Sequence, residues 1–175
     1  KFKMKKVLFL LLSFALVTLI HAQGKELPVI NAKYVTIING KIVFRKDSTN
    51  VTGVVKEWYK SGQIGLETAI KNGLLHGVTK RWYKNGNLKS QYNYKEDVLD
   101  GVFKQWYDIG KIKIEETYIN GNLDGVSKEW FTNGQLYHEK WYKDGKENGL
   151  HKTFNPNGKI ASSQAYKDGE KDGVY

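Results

Sequence analysis

The sequence predicts an all-β fold: an antiparallel β-meander of tandem 24-residue hairpin repeats, preceded by a signal-peptide helix. Three observations carry this. Glycine recurs at 53, 77, 101, 125, 149 and 173, always 24 residues apart, and again nine residues on at Gly62, Gly86, Gly110, Gly134 and Gly158. An aromatic follows the first glycine of each unit by five positions, as Trp58, Trp82, Trp106, Trp130 and Phe154. A fixed period with several columns in phase is the mark of a stacked array. The apolar residues also favour strands: aromatic and β-branched types are common, and the 175 residues contain only two prolines.

The chain begins with a segment of a different kind. Lys5 and Lys6 form a basic stretch, and Val7 to Ile20 is mostly apolar and uncharged. That run is short for a bilayer span and is followed by Ala22, so residues 1–22 read as a cleavable secretory signal. Export to the periplasm, the outer membrane or the medium is the expectation. The formal net charge is +10; loss of Lys1, Lys3, Lys5 and Lys6 leaves 24 basic against 18 acidic side chains, or +6. A charge of that size gives solubility and a mild preference for anionic surfaces, and nucleic acid is not an expected partner. The chain has no cysteine, which removes disulfides, thiolate nucleophiles and thiolate metal ligands.

Residues 23–52 read as a capping element out of phase with the repeat. Asn39-Gly40 lies between Tyr34–Ile38 and Lys41–Phe44, which gives a hairpin. Residues 53–175 then hold five units, starting at 53, 77, 101, 125 and 149. The closing Gly173-Val174-Tyr175 is the opening of another unit, so the sequence reads as a fragment or as one with imperfect boundaries.

Each unit contains two turns. Asn85-Gly86, Asn133-Gly134 and Asn157-Gly158, with Ser61-Gly62 and Ile109-Gly110 as weaker versions, predict two-residue loops with positive φ at both positions. The second turns are Asn72-Gly73, Asn120-Gly121, Asp144-Gly145 and Asp168-Gly169, with Glu96-Asp97 departing in the second unit. A two-residue loop at Ser61-Gly62 pairs residues whose numbers sum to 123. Lys56 then opposes Glu67 and Tyr59 opposes Ile64; Lys104 likewise opposes Glu115, and Lys128 opposes Glu139. Opposite charges at facing positions support that register. Alternation places Tyr59, Ile64, Ile70 and Leu75 on a mainly apolar face, and Val54 and Trp58 on a mixed face beside the Lys–Glu pair. A single curled sheet would cover the apolar face by its own curvature and by neighbouring aromatics.

The units resemble the MORN repeat in its variant form. The segments Gly77-Val-Thr-Lys-Arg-Trp-Tyr-Lys-Asn-Gly86 and Tyr118-Ile-Asn-Gly-Asn-Leu-Asp-Gly125 carry the resemblance, which covers about residues 53–175. The variant occurs in bacterial proteins labelled YwqK-family antitoxins. The resemblance implies a meander of hairpins with a binding or scaffolding role toward proteins or phospholipids.

Two columns are candidates for a binding face. Lys56, Lys80, Lys104, Lys128 and Lys152 recur once per unit, and such a row could follow phosphates of a lipid surface or an acidic polymer. The bland reading is that these lysines answer the facing acids. Trp58, Trp82, Trp106 and Trp130 could stack cell-wall sugar rings; the bland reading is packing between neighbouring units. His76 shares its column with Asp100, Asp124, Asn148 and Asp172, which is turn chemistry rather than metal binding. No nucleophile–base pair, paired carboxylates or phosphate loop stands out, so neither an enzyme nor a cofactor is expected. A protein partner is the leading expectation. Envelope lipid headgroups, cell-wall glycan and edge-to-edge self-association are the others.

Overall fold

The computed structural model describes residues 26–173. The expected signal segment, residues 1–22, lies outside the described residues. Among those described there is no α-helix, and a single 3-10 turn occurs at Ala32–Tyr34.

The repeat region is one sheet. Its first full strands are β4 (Gly53–Trp58), β5 (Ile64–Lys71), β6 (Leu74–Trp82) and β7 (Leu88–Lys95). After the short β8 (Val98–Leu99) the pattern settles: β9 (Gly101–Trp106), β10 (Ile112–Ile119), β11 (Asn122–Leu123) and β12 (Gly125–Trp130). It continues as β13 (Leu136–Lys143), β14 (Lys146–Glu147), β15 (Gly149–Phe154), β16 (Ile160–Lys167) and β17 (Glu170–Lys171). Successive long strands pair antiparallel in chain order, as a meander. Strand β1 (Val29–Asn31) breaks the rule: it joins β4 in parallel and forms the sheet's N-terminal edge.

The register follows the sum of 123 along most of β4 and β5, with Lys56 facing Glu67. It departs at the loop, where Trp58 rather than Tyr59 faces Ile64. The reason is turn chemistry. Gly62 N–H donates to the Tyr59 carbonyl at 2.9 Å, and Tyr59 N–H donates to Gln63 at 2.8 Å, so the loop has three residues. Only its glycine has positive φ; Asn85, Asn133 and Asn157 do not. An asparagine before glycine fits a type I turn closed by a left-handed glycine as well as it fits a two-residue loop. The paired left-handed residues belong instead to the second turns, as in Asn72-Gly73 (φ 53 and 83) and Glu96-Asp97 (φ 53 and 67).

One extra residue then restores the register. Gly65 is a bulge between the pairs Trp58–Ile64 and Glu57–Leu66, and Lys89, Lys113, Tyr137 and Ala161 are its counterparts. The bulge aims this residue over the turn aromatic of its own unit. Lys89 lies 5.5 Å from the Tyr83 ring, Lys113 lies 5.7 Å from Tyr107, and Tyr137 packs on Phe131 at 4.5 Å.

The apolar core sits at one end. Ile30, Val51, Val55 and Ile70 are buried together, and Ala32, Val35, Ile42 and Phe44 pack over them. That cover comes from the 3-10 turn, through Ala32, and from a separate hairpin, β2 (Val35–Ile38) and β3 (Lys41–Phe44), joined at Asn39-Gly40. This added cover at one end is not expected from the repeat, whose apolar face is expected to be covered by curvature and neighbouring aromatics; farther along, Tyr142, His151 and Tyr166 do pack together. From β5 onward this face mixes polar and aromatic groups: Thr68 and Thr79 share a buried hydrogen bond of 2.6 Å, Ser90 and His151 are buried, and Tyr92 packs on Phe103 with ring centroids 4.8 Å apart.

Candidate functional site

Six residue pairs join the two strands of a unit, as between β9 and β10, but only two join β10 to β12 of the next. Two seams at the sheet margins add to the short inter-unit ladder. Along one margin each turn tyrosine reaches into the following unit: Tyr59 donates to the Trp82 carbonyl, Tyr83 to Trp106 and Tyr107 to Trp130, at 2.6, 2.9 and 2.7 Å. Along the other, the second turns stack. The Gly121 N–H donates to the Leu99 carbonyl at 2.8 Å, Gly145 to Leu123 at 2.8 Å and Gly169 to Glu147 at 2.9 Å; Asp97 makes the same bond to Leu75 at 2.9 Å. The Asp column caps this seam: Asp100 accepts from Asn120 N–H at 3.3 Å, and Asp124 from Asp144 N–H at 3.2 Å. Lys143 reaches Asp124 at 2.7 Å, and these hydrogen bonds hold the Asp124 carboxyl below its ordinary range.

The seams hold a regular face. Opposite partners place Lys56, Glu67, Lys80, Gln91, Lys104, Glu115, Lys128, Glu139, Lys152 and Ser163 in one row across ten strands. Each glutamate therefore lies between two lysines. Lys56 reaches Glu67 at 2.8 Å, Lys104 reaches Glu115 at 2.8 Å, and Lys128 lies 3.8 Å from Glu139. Five lysines against three glutamates leave two positive charges on the row.

Alternation puts a second row on the same face, two residues away: Val54, Val78, Val102, Val126 and Leu150. Val78, Val102 and Leu150 stand out as exposed, as does Trp141 opposite Val126. The register read from the sequence already places Val54 of this column on the mixed face, but nothing in the sequence marks the column as exposed. On the other flank of the lysines run the tryptophans. Trp82, Trp106 and Trp130 are half-buried, whereas Trp58 at the array's edge is 41% exposed. The structure thus brings the lysine and tryptophan columns onto one face. The glycines at 62, 86, 110, 134 and 158 lie in the loops at its margin, each with positive φ.

The opposite face carries a polar cluster. Glu116 accepts from the Tyr118 hydroxyl at 2.9 Å and from Ser127 at 3.2 Å, beside a hollow of about 140 Å³ that Glu129, His138 and Lys140 also line. Burial and then the Glu116 hydrogen bond push the Tyr118 phenol up. Burial, then the charge of Lys140, push the His138 imidazole down. No group of three or more metal-ligating side chains occurs among the described residues.

Residues 75–96, 99–120, 123–144 and 147–168 each match the model of the MORN repeat variant. The four segments cover half of the chain. Each runs from a carbonyl acceptor of the stacked turns, at 75, 99, 123 or 147, to the residue just before the donor N–H of the next turn. The matched repeat is thus one full circuit between seam bonds. No curated protein matches the chain.

Proposed function

Since the chain belongs to the MORN repeat variant family, whose repeats are protein- and lipid-binding modules, we propose that it is a non-catalytic binding protein that docks a protein partner on its lysine face. The pairing of that face with an exposed apolar row carries this reading. Three of the five lysines already hold a glutamate, so little charge is left over for an anionic surface. The row of Val78, Val102 and Leu150 offers apolar area that a protein surface covers and a layer of headgroups does not.

A second reading, binding of anionic lipid or cell-wall glycan, draws on the two positive charges left on the row and on the tryptophans beside it. Neutralising a partner toxin would be one instance of partner docking, and a toxin gene beside this one would favour it. Export is part of the proposal, on the strength of the basic and apolar segments at the N-terminus, and directs the search to the cell envelope.

Pulldown from an envelope extract tests the readings with two triple variants. For a protein partner, Val78→Ser, Val102→Ser and Leu150→Ser together abolish capture, and salt has little effect. For the lipid or glycan reading, Lys80→Gln, Lys104→Gln and Lys128→Gln abolish binding to anionic vesicles or cell wall, and binding weakens steeply with salt. Capture that survives the apolar triple variant overturns the proposal.

A further inference from the structure

The N-terminal edge carries a site unlike anything in the repeats. A cleft of about 690 Å³ runs along β1, and all three residues of that strand line it. Its walls are apolar and aromatic, from Tyr34, Phe44 and Trp58. Later units have a preceding hairpin at this place; here the three-residue β1 stands instead, and Trp58 remains 41% exposed and Val29 60% exposed. The outer side of β1 is a sheet edge, since among the described residues it pairs with β4 alone. An edge strand presents backbone N–H and C=O groups to an incoming strand.

The charge of the cleft is one-sided. Lys33, Arg45 and Lys46 line it, and among the described residues no carboxylate does. Asp47 bridges Lys46 at 3.5 Å, so Lys33 and Arg45 set the preference. Lys33 lies 4.8 Å from the Tyr34 ring, which keeps its ammonium beside the apolar wall. A second copy of this net-positive chain would meet like charge here.

We infer that the β1 cleft receives an extended acidic peptide segment of a partner protein, added as a strand on β1 with an apolar side chain between Tyr34, Phe44 and Trp58 and carboxylates at Lys33 and Arg45. This rests on the reading of the chain as a protein-binding module and names a separate site for the contact. Backbone bonds to β1 supply the strand geometry, and the cleft supplies the choice of side chain.

The probe is a blocked hexapeptide of alternating valine and glutamate, titrated into the labelled protein and followed by amide NMR. The expected result is saturable shifts at Val29, Ile30, Asn31 and the Trp58 indole. Binding should weaken about tenfold in Lys33→Gln/Arg45→Gln, and about as much when lysine replaces glutamate in the peptide. The two positions are solvent-facing, and circular dichroism checks that the double variant is folded. No saturable shift, equal binding of the lysine peptide, or shifts confined to the Lys80–Lys104–Lys128 row would each overturn the inference. The last outcome would leave the lysine-face proposal standing, whereas loss of capture by the lysine face leaves this site untouched.

Discussion

The hydroxyl of Tyr83 donates to the carbonyl oxygen of Trp106, 23 residues on, at 2.9 Å. The same bond links Tyr59 to Trp82 and Tyr107 to Trp130, and it stops where Phe131 replaces the tyrosine. It ties a turn of one unit to the last strand residue of the next, and at Tyr83–Trp106 and Tyr107–Trp130 only two residue pairs join the facing strands β7–β9 and β10–β12. Tyr83→Phe should therefore lower stability by about 1 kcal/mol, the usual net worth of one such bond. Phe131→Tyr should regain part of that amount by reaching toward Phe154. Urea unfolding followed by circular dichroism measures both.

Glycines of two kinds should differ. Gly134 closes its loop at φ 93, and a methyl group added there would meet nothing within 4 Å, so Gly134→Ala incurs only the left-handed penalty, about 1–2 kcal/mol. A Cβ on Gly53 would lie 2.6 Å from the Pro28 carbonyl and 2.8 Å from Ile30. Gly53→Ala should cost more, about 3 kcal/mol, and loosen β1 from β4. Thermal unfolding gives the ranking, and amide exchange at Val54 reports the β1 contact.

The pair Lys56–Glu67, 2.8 Å apart and partly covered on both sides, should show a coupling of about 0.5 kcal/mol in a double-mutant cycle. The coupling should shrink in high salt. A coupling of zero at low salt would mean that the row's register, and not its ion pairing, explains the alternation of lysine and glutamate.

Alkali should unfold the array through its core-face phenols. Tyr118 is raised above the ordinary 10.0 by burial and by its bond to Glu116, and Tyr142 and Tyr94 are raised mainly by burial. Above pH 10 the unfolded chain loses these protons while the folded one retains them, so stability is full below that pH and falls as pH rises beyond it. Tyr118→Phe should make the fall shallower, as read from the urea midpoint across the alkaline range.

Much of this was legible in the sequence because the period is strict. The Lys56–Glu67, Lys104–Glu115 and Lys128–Glu139 pairs follow from a sum of paired positions, although the loop has three residues and not the two on which that sum rests. A three-residue loop moves the register by one, and the Gly65 bulge moves it back. The two departures cancel beyond Glu57; they leave the Tyr59–Ile64 pairing wrong and put Ile64, opposite Trp58, on the lysine face instead of the apolar face expected for it. A bulge has no side-chain signature of its own here, since Gly65, Lys89, Lys113, Tyr137 and Ala161 share no chemistry. The N-terminal cleft was hidden for a different reason. Tyr34, Phe44 and Trp58 meet only through the parallel pairing of β1, which lies outside the repeat.

Deleting one whole unit tests the central claim most directly. Removal of residues 101–124 joins Asp100 to Gly125, places equivalent in the array. If the units are interchangeable and sealed by nearest-neighbour seams, the shortened protein keeps a strand-dominated circular dichroism spectrum and unfolds in one cooperative transition at somewhat lower urea. A spectrum without strand signal, or unfolding with no cooperative transition, would contradict it.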